Sequence, residues 1–250
     1  MKLIGAKART FFFYKKESYK LPYWKLDYIY KCLSTEYELT NFLKNKEDIL
    51  KFPYAIISKE QISGFGQNNR KWISPPGGIW ISAAYPIFSE NFSLDLYPLA
   101  IAFKLCEMLS NEFIKVNLKY PNDILFGSKK LIGFLPKIVS RGNQITYARI
   151  GIGMNVNNKV PIEGISLSKI LNKKLLEEFW ISKILKAISQ AIDATNKKEY
   201  IIRGANSYLN KELLPKKYNN SDWKIKDIDS EGKLRIFKGD CYKSLLFSEY

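Results

Sequence analysis

Residues 61–77 read Gln-Ile-Ser-Gly-Phe-Gly-Gln-Asn-Asn-Arg-Lys-Trp-Ile-Ser-Pro-Pro-Gly and lie between two apolar runs, at 54–58 and 79–85. Short apolar runs that end at glycine and proline are typical of buried β-strands. A glycine-spaced loop that leaves a strand exposes backbone N–H groups, and Arg70 and Lys71 add two cations. The loop therefore predicts a phosphate-binding site, although it has neither the Gly-Lys-Ser/Thr of a P-loop nor the third glycine of a dinucleotide fingerprint.

Further along the chain, a proline turn and a lysine pair add candidates for ligand binding. Residues 119–123 read Lys-Tyr-Pro-Asn-Asp, and Asn122 and Asp123 either cap the turn or reach a ligand. The pair Lys129-Lys130 precedes the apolar segment Leu-Ile-Gly-Phe-Leu. A lysine that enters an apolar strand is costly unless it meets an anion, so one of the two is expected to point into a site and the other into solvent.

Alternate glycines mark a third stretch, residues 151–157, which reads Gly-Ile-Gly-Met-Asn-Val-Asn. Residues two apart lie on one face of a strand, so Gly151 and Gly153 leave a flat surface there. That surface suits either a ligand or tight packing of a neighbouring strand. Trp72 has two interpretations as well, since its ring could stack on an adenine or pack in the core.

The composition excludes several classes of enzyme. The chain of 250 residues has no histidine, so Ser-His-Asp and Cys-His triads and histidine-ligated zinc sites are excluded. Its 40 basic and 24 acidic residues give a net charge of +16, which predicts an anionic partner or simply a well-solvated surface. Neither a membrane span nor a signal peptide is expected. The three cysteines are widely spaced, which predicts that the protein resides in the reducing cytoplasm and that all three side chains are buried.

Periodicity predicts helices at 35–50, 96–113 and 177–203, with Ser34 or Thr35 as the N-cap of the first. One side of the third helix is expected to carry Phe179, Ile184, Leu185, Ile188 and Ile192. Strands are expected between the helices and within 1–31. A polar, proline-marked segment at 214–222 predicts a linker, and a hairpin is expected after it, around residues 230–232.

Taken in order, these stretches resemble the biotin–protein ligases. Members of that family carry a Gly-Arg-Gly-Arg-x-x-Arg-x-Trp loop and a Ser-Pro-x-Gly turn. A Lys-Trp-Pro-Asn-Asp segment, a Lys-Leu-x-Gly-Ile-Leu strand and a Gly-x-Gly-x-Asn-x-Asn strand follow. The corresponding segments of this chain are 64–77, 119–123, 130–135 and 151–157. Ser34-Thr35-Glu36 stands where the family has Ser-Thr-Asn, and Gln61 matches the glutamine before the loop. The resemblance covers residues 28–160 and, more loosely, 227–250.

The resemblance implies an α/β (α+β) fold. A catalytic domain, residues 1–213, would be a class II synthetase-like mixed sheet with helices, and residues 214–250 would form a small SH3-like β domain. The implied enzyme is of the monofunctional type without a DNA-binding domain. It would join biotin and ATP·Mg²⁺ into biotinyl-5′-AMP with loss of pyrophosphate. It would then transfer biotin to a specific lysine of an acidic biotin carboxyl carrier protein domain.

Residue roles follow from the same resemblance. Lys130 would bridge the biotin carboxylate and the α-phosphate, with Arg70 as the second catalytic residue. The implied biotin-binding residues are Ser34, Thr35, Gln61, Gly64, Gly133 and Gly153. The implied ATP- or adenylate-binding residues are Phe65, Gly66, Gln67, Arg70, Lys71, Trp72, Asn122, Asp123, Lys130 and Asn155. Mg²⁺ would be held mainly by the ATP phosphates, with Asn122 or Asp123 as the candidate protein ligand.

Some positions depart from the family pattern, and two alternative functions remain. Phe65 and Gln67 replace two arginines of the loop, Glu36 replaces an asparagine, and Tyr120 replaces a tryptophan. A lipoate–protein ligase would share the fold and the adenylate chemistry. A non-catalytic basic module that binds nucleic acid would explain the charge and the aromatic residues among lysines at 9–31, but nucleic acid is the less expected partner. A homodimer through a sheet edge is a further expectation, and no membrane partner is expected.

Overall fold

The computed structural model describes residues 7–11, 23–44, 50–89, 91–141, 144–218 and 222–246. These residues form two compact units. The first contains the described residues up to Ser89 together with Lys129–Lys186, and the second contains those from Asn91 to Ser128 and from Ala187 onward. The boundary between residues 213 and 214 stays a prediction. None of the described helices is long and apolar enough to cross a membrane.

Strands and helices follow one another along the described chain. In sequence order they are β1 (Lys7–Phe11), β2 (Lys25–Cys32), α1 (Thr35–Lys44), β3 (Tyr54–Gln61), β4 (Ile79–Pro86), α2 (Tyr97–Ser110), β5 (Asn117–Lys119), β6 (Asp123–Phe126), β7 (Lys129–Arg141), β8 (Gln144–Met154), α3 (Leu167–Ile170), α4 (Glu177–Ala194), α5 (Lys198–Tyr208), β9 (Lys224–Ile228), β10 (Leu234–Lys238) and β11 (Cys241–Leu245). Short 3₁₀ turns span Gln67–Asn69 and Lys216–Tyr218.

A mixed sheet forms the body of the first unit, with the strand order β1-β2-β3-β4-β8-β7. β2 and β3 are parallel, while the other neighbours in this order pair antiparallel. Parallel strands need a crossover connection, which α1 provides. β3 and β4 are buried along most of their length, as expected for central strands covered on both faces. The mixed sheet with helices confirms the expected fold class.

The segment at 35–50 contains a helix that ends at Lys44. The Ser34 hydroxyl accepts a hydrogen bond from the Tyr37 N–H (3.1 Å), which confirms Ser34 as the N-cap. Leu39 and Leu43 are buried against the sheet. The part of the predicted helix at 45–49 lies outside the described residues. Of the strands expected within 1–31, β1 and β2 are present, while residues 12–22 also lie outside the described chain.

The single helix predicted at 177–203 is wrong, because the segment forms two helices, α4 and α5. The Thr195 hydroxyl donates to the Ile192 carbonyl (2.9 Å), and the Lys197 N–H donates to the Ala194 carbonyl (2.8 Å). These bonds close a tight turn that ends α4. Phe179 was also assigned to the wrong side, since it is exposed whereas its neighbour Trp180 is buried.

The second unit contains α2, α5, the β5–β6 pair and a three-stranded antiparallel sheet, β11-β10-β9. The predicted hairpin around residues 230–232 is confirmed, because the Asp229 carboxylate accepts the N–H groups of Glu231 (2.9 Å) and Lys233 (3.0 Å). Gly232 has a φ of +81°, a conformation that favours glycine at this turn. The small sheet matches the β unit expected at the C-terminal end.

The three cysteines occupy different environments. Cys32 and Cys106 are buried, as predicted, and burial raises the pKa of both thiols. Cys241 is exposed, so the expectation that all three are buried is wrong. It is the first residue of β11, whose residues are exposed except for Leu245. A short strand with few buried positions cannot shield a side chain near its start.

Candidate active site

The loop between β3 and β4 folds back on itself between Gly64 and Trp72. The Trp72 N–H donates to the Gly64 carbonyl (2.8 Å), and the Gly66 N–H donates to the Arg70 carbonyl (2.7 Å). These two bonds close a narrow hairpin around the first 3₁₀ turn. Arg70 and Lys71 are exposed, so both cations of the predicted phosphate site face solvent.

Gly64 lies at the base of this hairpin, where three polar groups meet. A Cβ at this position would stand 2.5 Å from Ser74 Oγ, 2.7 Å from the Trp72 carbonyl oxygen and 2.9 Å from Gln61 Nε2. Gln61 Nε2 donates to Ser74 Oγ (2.8 Å), and the Ser74 hydroxyl donates to the Trp72 carbonyl (3.2 Å). Gly64 is required here because it lets the loop pack against the Gln61 amide.

Three glycines form a flat area on one face of the sheet. Gly133 on β7 lies directly opposite Gly153 on β8, and Gly151 lies two residues before Gly153. Directly opposed residues of an antiparallel pair share a face, as do residues two apart on a strand. Trp80 and Ser82 on β4 stand opposite Gly153 and Gly151 and continue the same face. We call Gly133, Gly151 and Gly153 the glycine strip.

Trp72 covers one end of the glycine strip. A Cβ at Gly153 would stand 2.6 Å from the indole Nε1, and a Cβ at Gly133 would stand 3.0 Å from Cζ3 of the same ring. The Lys130 ammonium lies 4.7 Å from the centre of the Trp72 ring. The indole Nε1 is buried and has no hydrogen-bond partner among the described residues. Lys130 and Trp72, both candidates from the sequence, thus lie together at one end of the glycine strip, which we call the lysine end.

The backbone at Lys130 is held by three hydrogen bonds. Its N–H donates to the Glu163 carbonyl (2.8 Å), and its carbonyl accepts from the Ile165 N–H (3.0 Å) and from Asn155 Nδ2 (3.3 Å). The Asn155 side chain is buried and also accepts a hydrogen bond from Asn158 Nδ2 (2.9 Å). The role of Asn155 in the structure is therefore to fix Lys130, and its contact with a nucleotide stays a prediction.

Hydroxyl and amide groups gather on the same face, beside Ser82. The Thr35 N–H and the Thr35 hydroxyl both donate to Gln61 Oε1, at 2.8 and 3.1 Å. Thr35 Oγ1 lies 2.9 Å from Ser82 Oγ, and either atom can be the donor. Ser34, Thr35 and Ser82 are buried. We call Thr35, Gln61 and Ser82 the hydroxyl cluster.

An ion pair lies next to the hydroxyl cluster. Arg149 Nη2 donates to Glu36 Oε1 (2.6 Å) and to Thr40 Oγ1 (2.9 Å), and Arg149 itself is buried. Burial raises the pKa of the Glu36 carboxyl, although Arg149, the Ser82 hydroxyl and Lys137 each act to lower it. The ion pair holds the Glu36 carboxylate close to the hydroxyl cluster, since Glu36 directly follows Thr35 in the sequence.

The remaining predicted residues are dispersed. Phe65 and Gln67 lie in the hairpin, where Phe65 is exposed and Gln67 is half-buried. Asn122 and Asp123 belong to the second unit, where Asn122 is buried in the turn before β6 and Asp123 is the first residue of that strand. The peptide bond before Pro121 is cis. The binding roles of all the predicted residues stay predictions.

Sequence reasoning did not assign a role to several residues that the structure places at the site. These are Ser74, Ser82 and Arg149. Ser82 was visible as a single hydroxyl inside the apolar run at 79–85, and Arg149 as a single cation inside a strand. A buried cation needs an anion, so Arg149 pointed to a carboxylate partner whose identity only the fold could give.

Comparison with known proteins gives a family match over part of the chain. Residues 33–155 match the model of the Biotin/lipoate A/B protein ligase family. The chain is 30% identical over 132 residues to the bifunctional ligase/repressor BirA of Bacillus subtilis, an alignment covering 48% of this chain and 40% of that protein. BirA of Bacillus spizizenii is 31% identical over 109 residues, with 42% and 33% covered. The chain thus spans two fifths or less of the length of these curated relatives.

A solved structure shares the fold over nearly its whole length. The biotin protein ligase from Aquifex aeolicus in complex with biotin and ATP superposes with a TM-score of 0.69, at 24% identity, covering 88% of this chain and 95% of that chain. An identity this low supports the fold alone. Together with the matched segment, it places the loop, the glycine strip and the hydroxyl cluster inside the shared region. The similarity to the Biotin/lipoate A/B protein ligase family thus extends over residues 33–155 of this chain.

Proposed function

We propose that the chain is a biotin–protein ligase that forms biotinyl-5′-AMP from biotin and ATP and then transfers biotin to a lysine of a carrier domain. The observation that carries the proposal is the arrangement around the glycine strip. Lys130 and Trp72 flank one end, and the hydroxyl cluster of Thr35, Gln61 and Ser82 lies further along the same face. A ligand with a carboxylate at one end and a polar ring at the other fits this order of groups.

The first step needs a cation more than a base. The biotin carboxylate attacks the α-phosphorus of ATP, a P–O bond forms, and pyrophosphate leaves with the electrons of the bond that breaks. Two anions must approach each other, and no proton is transferred, so the absence of histidine is no obstacle. Lys130 would stabilise both anions, because its backbone is fixed and its ammonium lies over the Trp72 ring. Arg70 and Lys71 would bind phosphate groups.

The second step is an acyl transfer. The uncharged amine of the acceptor lysine attacks the carbonyl carbon of the biotinyl-5′-AMP anhydride. An amide bond forms, one proton of the amine is lost to water, and AMP leaves with the electrons of the C–O bond that breaks. Lys130 would stabilise the negative charge that develops on AMP. The exposed positions of Arg70 and Lys71 leave both cations accessible to a partner. Their contribution would be to hold the adenylate while the acceptor arrives.

Mg²⁺ would enter with ATP. It prefers oxygen ligands and commonly keeps substrate phosphates and water in its coordination shell, with one or two protein carboxylates. The amide oxygen of Asn122 and the carboxylate of Asp123 are of the right chemical type, and either would supply one ligand. The metal would neutralise phosphate charge, which leaves Lys130 to act on the reacting oxygen atoms.

The hydroxyl cluster favours biotin over lipoate as the acid. A cyclic urea offers two N–H donors and a carbonyl acceptor, which match buried hydroxyl and amide groups. The dithiolane ring of lipoate has no N–H donor and no carbonyl acceptor, so it would form none of these hydrogen bonds, each worth about 0.5–1.5 kcal/mol. The same cluster has no obvious use in a nucleic-acid-binding module, since its members are buried or half-buried.

The test is to incubate the purified chain with radiolabelled ATP and either biotin or lipoate, and to separate the adenylates. Biotinyl-AMP is expected with biotin, and lipoate should give at most a trace. A lipoyl-AMP product would identify a lipoate ligase instead. If neither acid gives an adenylate while duplex DNA or RNA binds tightly at physiological salt, the nucleic-acid-binding alternative is correct.

The protein partner is the second part of the proposal. A net charge of +16 would speed encounter with an acidic carrier domain in the cytoplasm. The rate of biotin transfer should then fall steeply as salt rises, while adenylate formation changes little. Equal salt sensitivity of the two half-reactions would contradict an acidic partner.

A further inference from the structure

The turn between β5 and β6 is tied to the C-terminal sheet by one side chain. Tyr120 is the first residue of this turn, and its hydroxyl donates to the Gly232 carbonyl (3.1 Å), 112 residues further along the chain. Tyr120 is buried. Asn122 and Asp123, the candidate ligands for phosphate and Mg²⁺, follow it closely in the sequence. The contact therefore joins the tip of the β9–β10 hairpin to a turn that carries two predicted ATP-binding residues.

The turn is short, so a shift of Tyr120 is passed on to its neighbours. It connects Lys119 to Asp123, which stand opposite each other in the β5–β6 pair. Its middle residue is a proline, whose ring fixes the backbone angle φ. A short turn with paired ends and a proline has few backbone conformations available. The position of the Tyr120 side chain and the orientation of Asn122 and Asp123 are therefore coupled.

The other partner, the tip of the β9–β10 hairpin, is held in place independently of this contact. Asn206 of α5 donates to the Ile228 carbonyl (2.8 Å) and accepts from the Ile228 N–H (2.9 Å), at the end of β9. A Cβ at Gly232 would stand 3.7 Å from Leu96 Cδ2 and 3.9 Å from Leu99 Cδ2, so the tip packs against the start of α2. The Gly232 carbonyl is thus a fixed acceptor for the tyrosine hydroxyl.

We propose that Tyr120 is a positioning residue for ATP, which acts by holding the turn that carries Asn122 and Asp123 against the C-terminal sheet. This inference rests on the proposed function, because it assigns those two side chains to the phosphates and Mg²⁺ of ATP. It gives the C-terminal sheet, which supplies none of the predicted binding residues, a role in the first step. The predicted biotin-binding residues belong to the first unit, so loss of the Tyr120 contact should leave the affinity for biotin unchanged.

The experiment measures two constants of the full chain: the KM for ATP of biotinyl-AMP formation at saturating biotin, and the Kd for biotin by calorimetry. Tyr120→Phe keeps the ring and removes the hydroxyl. It should raise the KM for ATP about 2- to 10-fold and leave the Kd for biotin unchanged. Tyr200→Phe is the matched control, since it removes a hydroxyl that accepts from Lys104 Nζ (2.7 Å) in the same unit. It should change neither constant.

The same contact can also be disturbed from the sheet side. Gly232 has a φ of +81°, and Gly239, in the turn between β10 and β11, has a φ of +55°, so alanine strains either turn. Gly232→Ala displaces the carbonyl that Tyr120 contacts and should raise the KM for ATP by a similar factor, whereas Gly239→Ala should not. The effects of Tyr120→Phe and Gly232→Ala should not add in the double variant, because both act on one contact.

The outcomes separate this inference from the proposed function. A wild-type chain that forms no biotinyl-AMP would overturn the proposed function and the inference with it. With an active wild type, an unchanged KM for ATP in folded Tyr120→Phe would overturn the inference alone. An equal rise in Tyr200→Phe or Gly239→Ala, or additive effects in the double variant, would overturn it as well. If Tyr120→Phe does not fold, the comparison of Gly232→Ala with Gly239→Ala decides the question, and equal KM values for ATP would overturn the inference.

Discussion

The two ends of the glycine strip differ in how they are built. At the lysine end, Trp72 and Lys130 meet over Gly133 and Gly153, and each of these residues belongs to a short motif that is visible in the chain. At the other end, the hydroxyl cluster and its ion pair assemble groups from α1, β3, β4 and β8; the resemblance pointed to Thr35 and Gln61, whereas Ser82 and Arg149 belong to no motif. Under the proposed function, one end would supply charge for the reacting anions and the other would supply hydrogen bonds that select the ligand ring.

Removal of the Lys130 ammonium should have the largest effect, on the rate of biotinyl-AMP formation. Lys130→Ala removes the ammonium that would lie between the biotin carboxylate and the α-phosphate, a contact worth about 2–4 kcal/mol in the transition state, or roughly 30- to 1000-fold in rate. The measurement is the rate of biotinyl-AMP formation in the purified variant. Its neighbour Lys129 is exposed, so Lys129→Ala is the control and should change the rate little. A wild-type rate in Lys130→Ala would refute its assignment.

At the other end of the glycine strip, a substitution in the hydroxyl cluster should change the affinity for biotin more than the rate of biotinyl-AMP formation. Thr35→Val keeps the shape of the side chain but removes the hydroxyl that contacts Gln61 and Ser82. Buried partners left unpaired cost about 1–3 kcal/mol, which predicts a loss of about 5- to 150-fold in biotin affinity. Calorimetry with biotin measures it. Thr195→Val is the control, since it removes a buried hydroxyl that donates to the Ile192 carbonyl in its own turn. Equal loss of biotin affinity in both variants would show that the effect is general destabilisation.

The same contrast explains what could be predicted from the sequence. The strands and the lysine end follow from local patterns: apolar runs bounded by glycine and proline, and a lysine next to an apolar strand. The hydroxyl cluster depends on contacts between Thr35 and Ser82, which are 47 residues apart, and between Glu36 and Arg149, which are 113 apart. No local pattern encodes such pairs, because strand register decides them.

The prediction of one helix at 177–203 is wrong for a related reason. Apolar residues occur on both sides of the polar segment 195–197, but there the Thr195 hydroxyl bonds to the Ile192 carbonyl and competes with helical hydrogen bonds. Position in the fold also decides the exposure of Phe179, which the pattern grouped with buried apolar residues, and of Cys241, which was predicted to be buried.

Substitution of two glycines of the strip should have different effects, because Gly153 lies under Trp72 and Gly151 lies beside Ser82. Gly153→Ala places a methyl group 2.6 Å from the Trp72 indole, so the ring must move and the chain should lose about 1–3 kcal/mol of stability. Thermal unfolding and a change in tryptophan emission measure this. Gly151→Ala meets only Leu135 and Ser82, both at 3.8 Å, and should keep the wild-type stability and emission. If biotin lies on the strip beside Ser82, Gly151→Ala should weaken biotin binding instead. Identical behaviour of the two variants would contradict the position of Trp72 over Gly153.

The smallest effect is expected at Gln67, in the hairpin that leads to the lysine end. Glutamine can donate hydrogen bonds, but a neutral bond is about half as strong as a charge-assisted one, so the arginine of the family pattern should retain the adenylate better. Gln67→Arg is expected to slow the escape of preformed biotinyl-AMP by about 5- to 30-fold, equivalent to about 1–2 kcal/mol. The dissociation rate and the stray labelling of a bystander protein both measure escape. Gln190→Arg on α4 adds the same charge outside the hairpin and controls for net charge. An unchanged dissociation rate in Gln67→Arg would mean that Arg70 or other groups of this hairpin already hold the intermediate, and that position 67 does not control its retention.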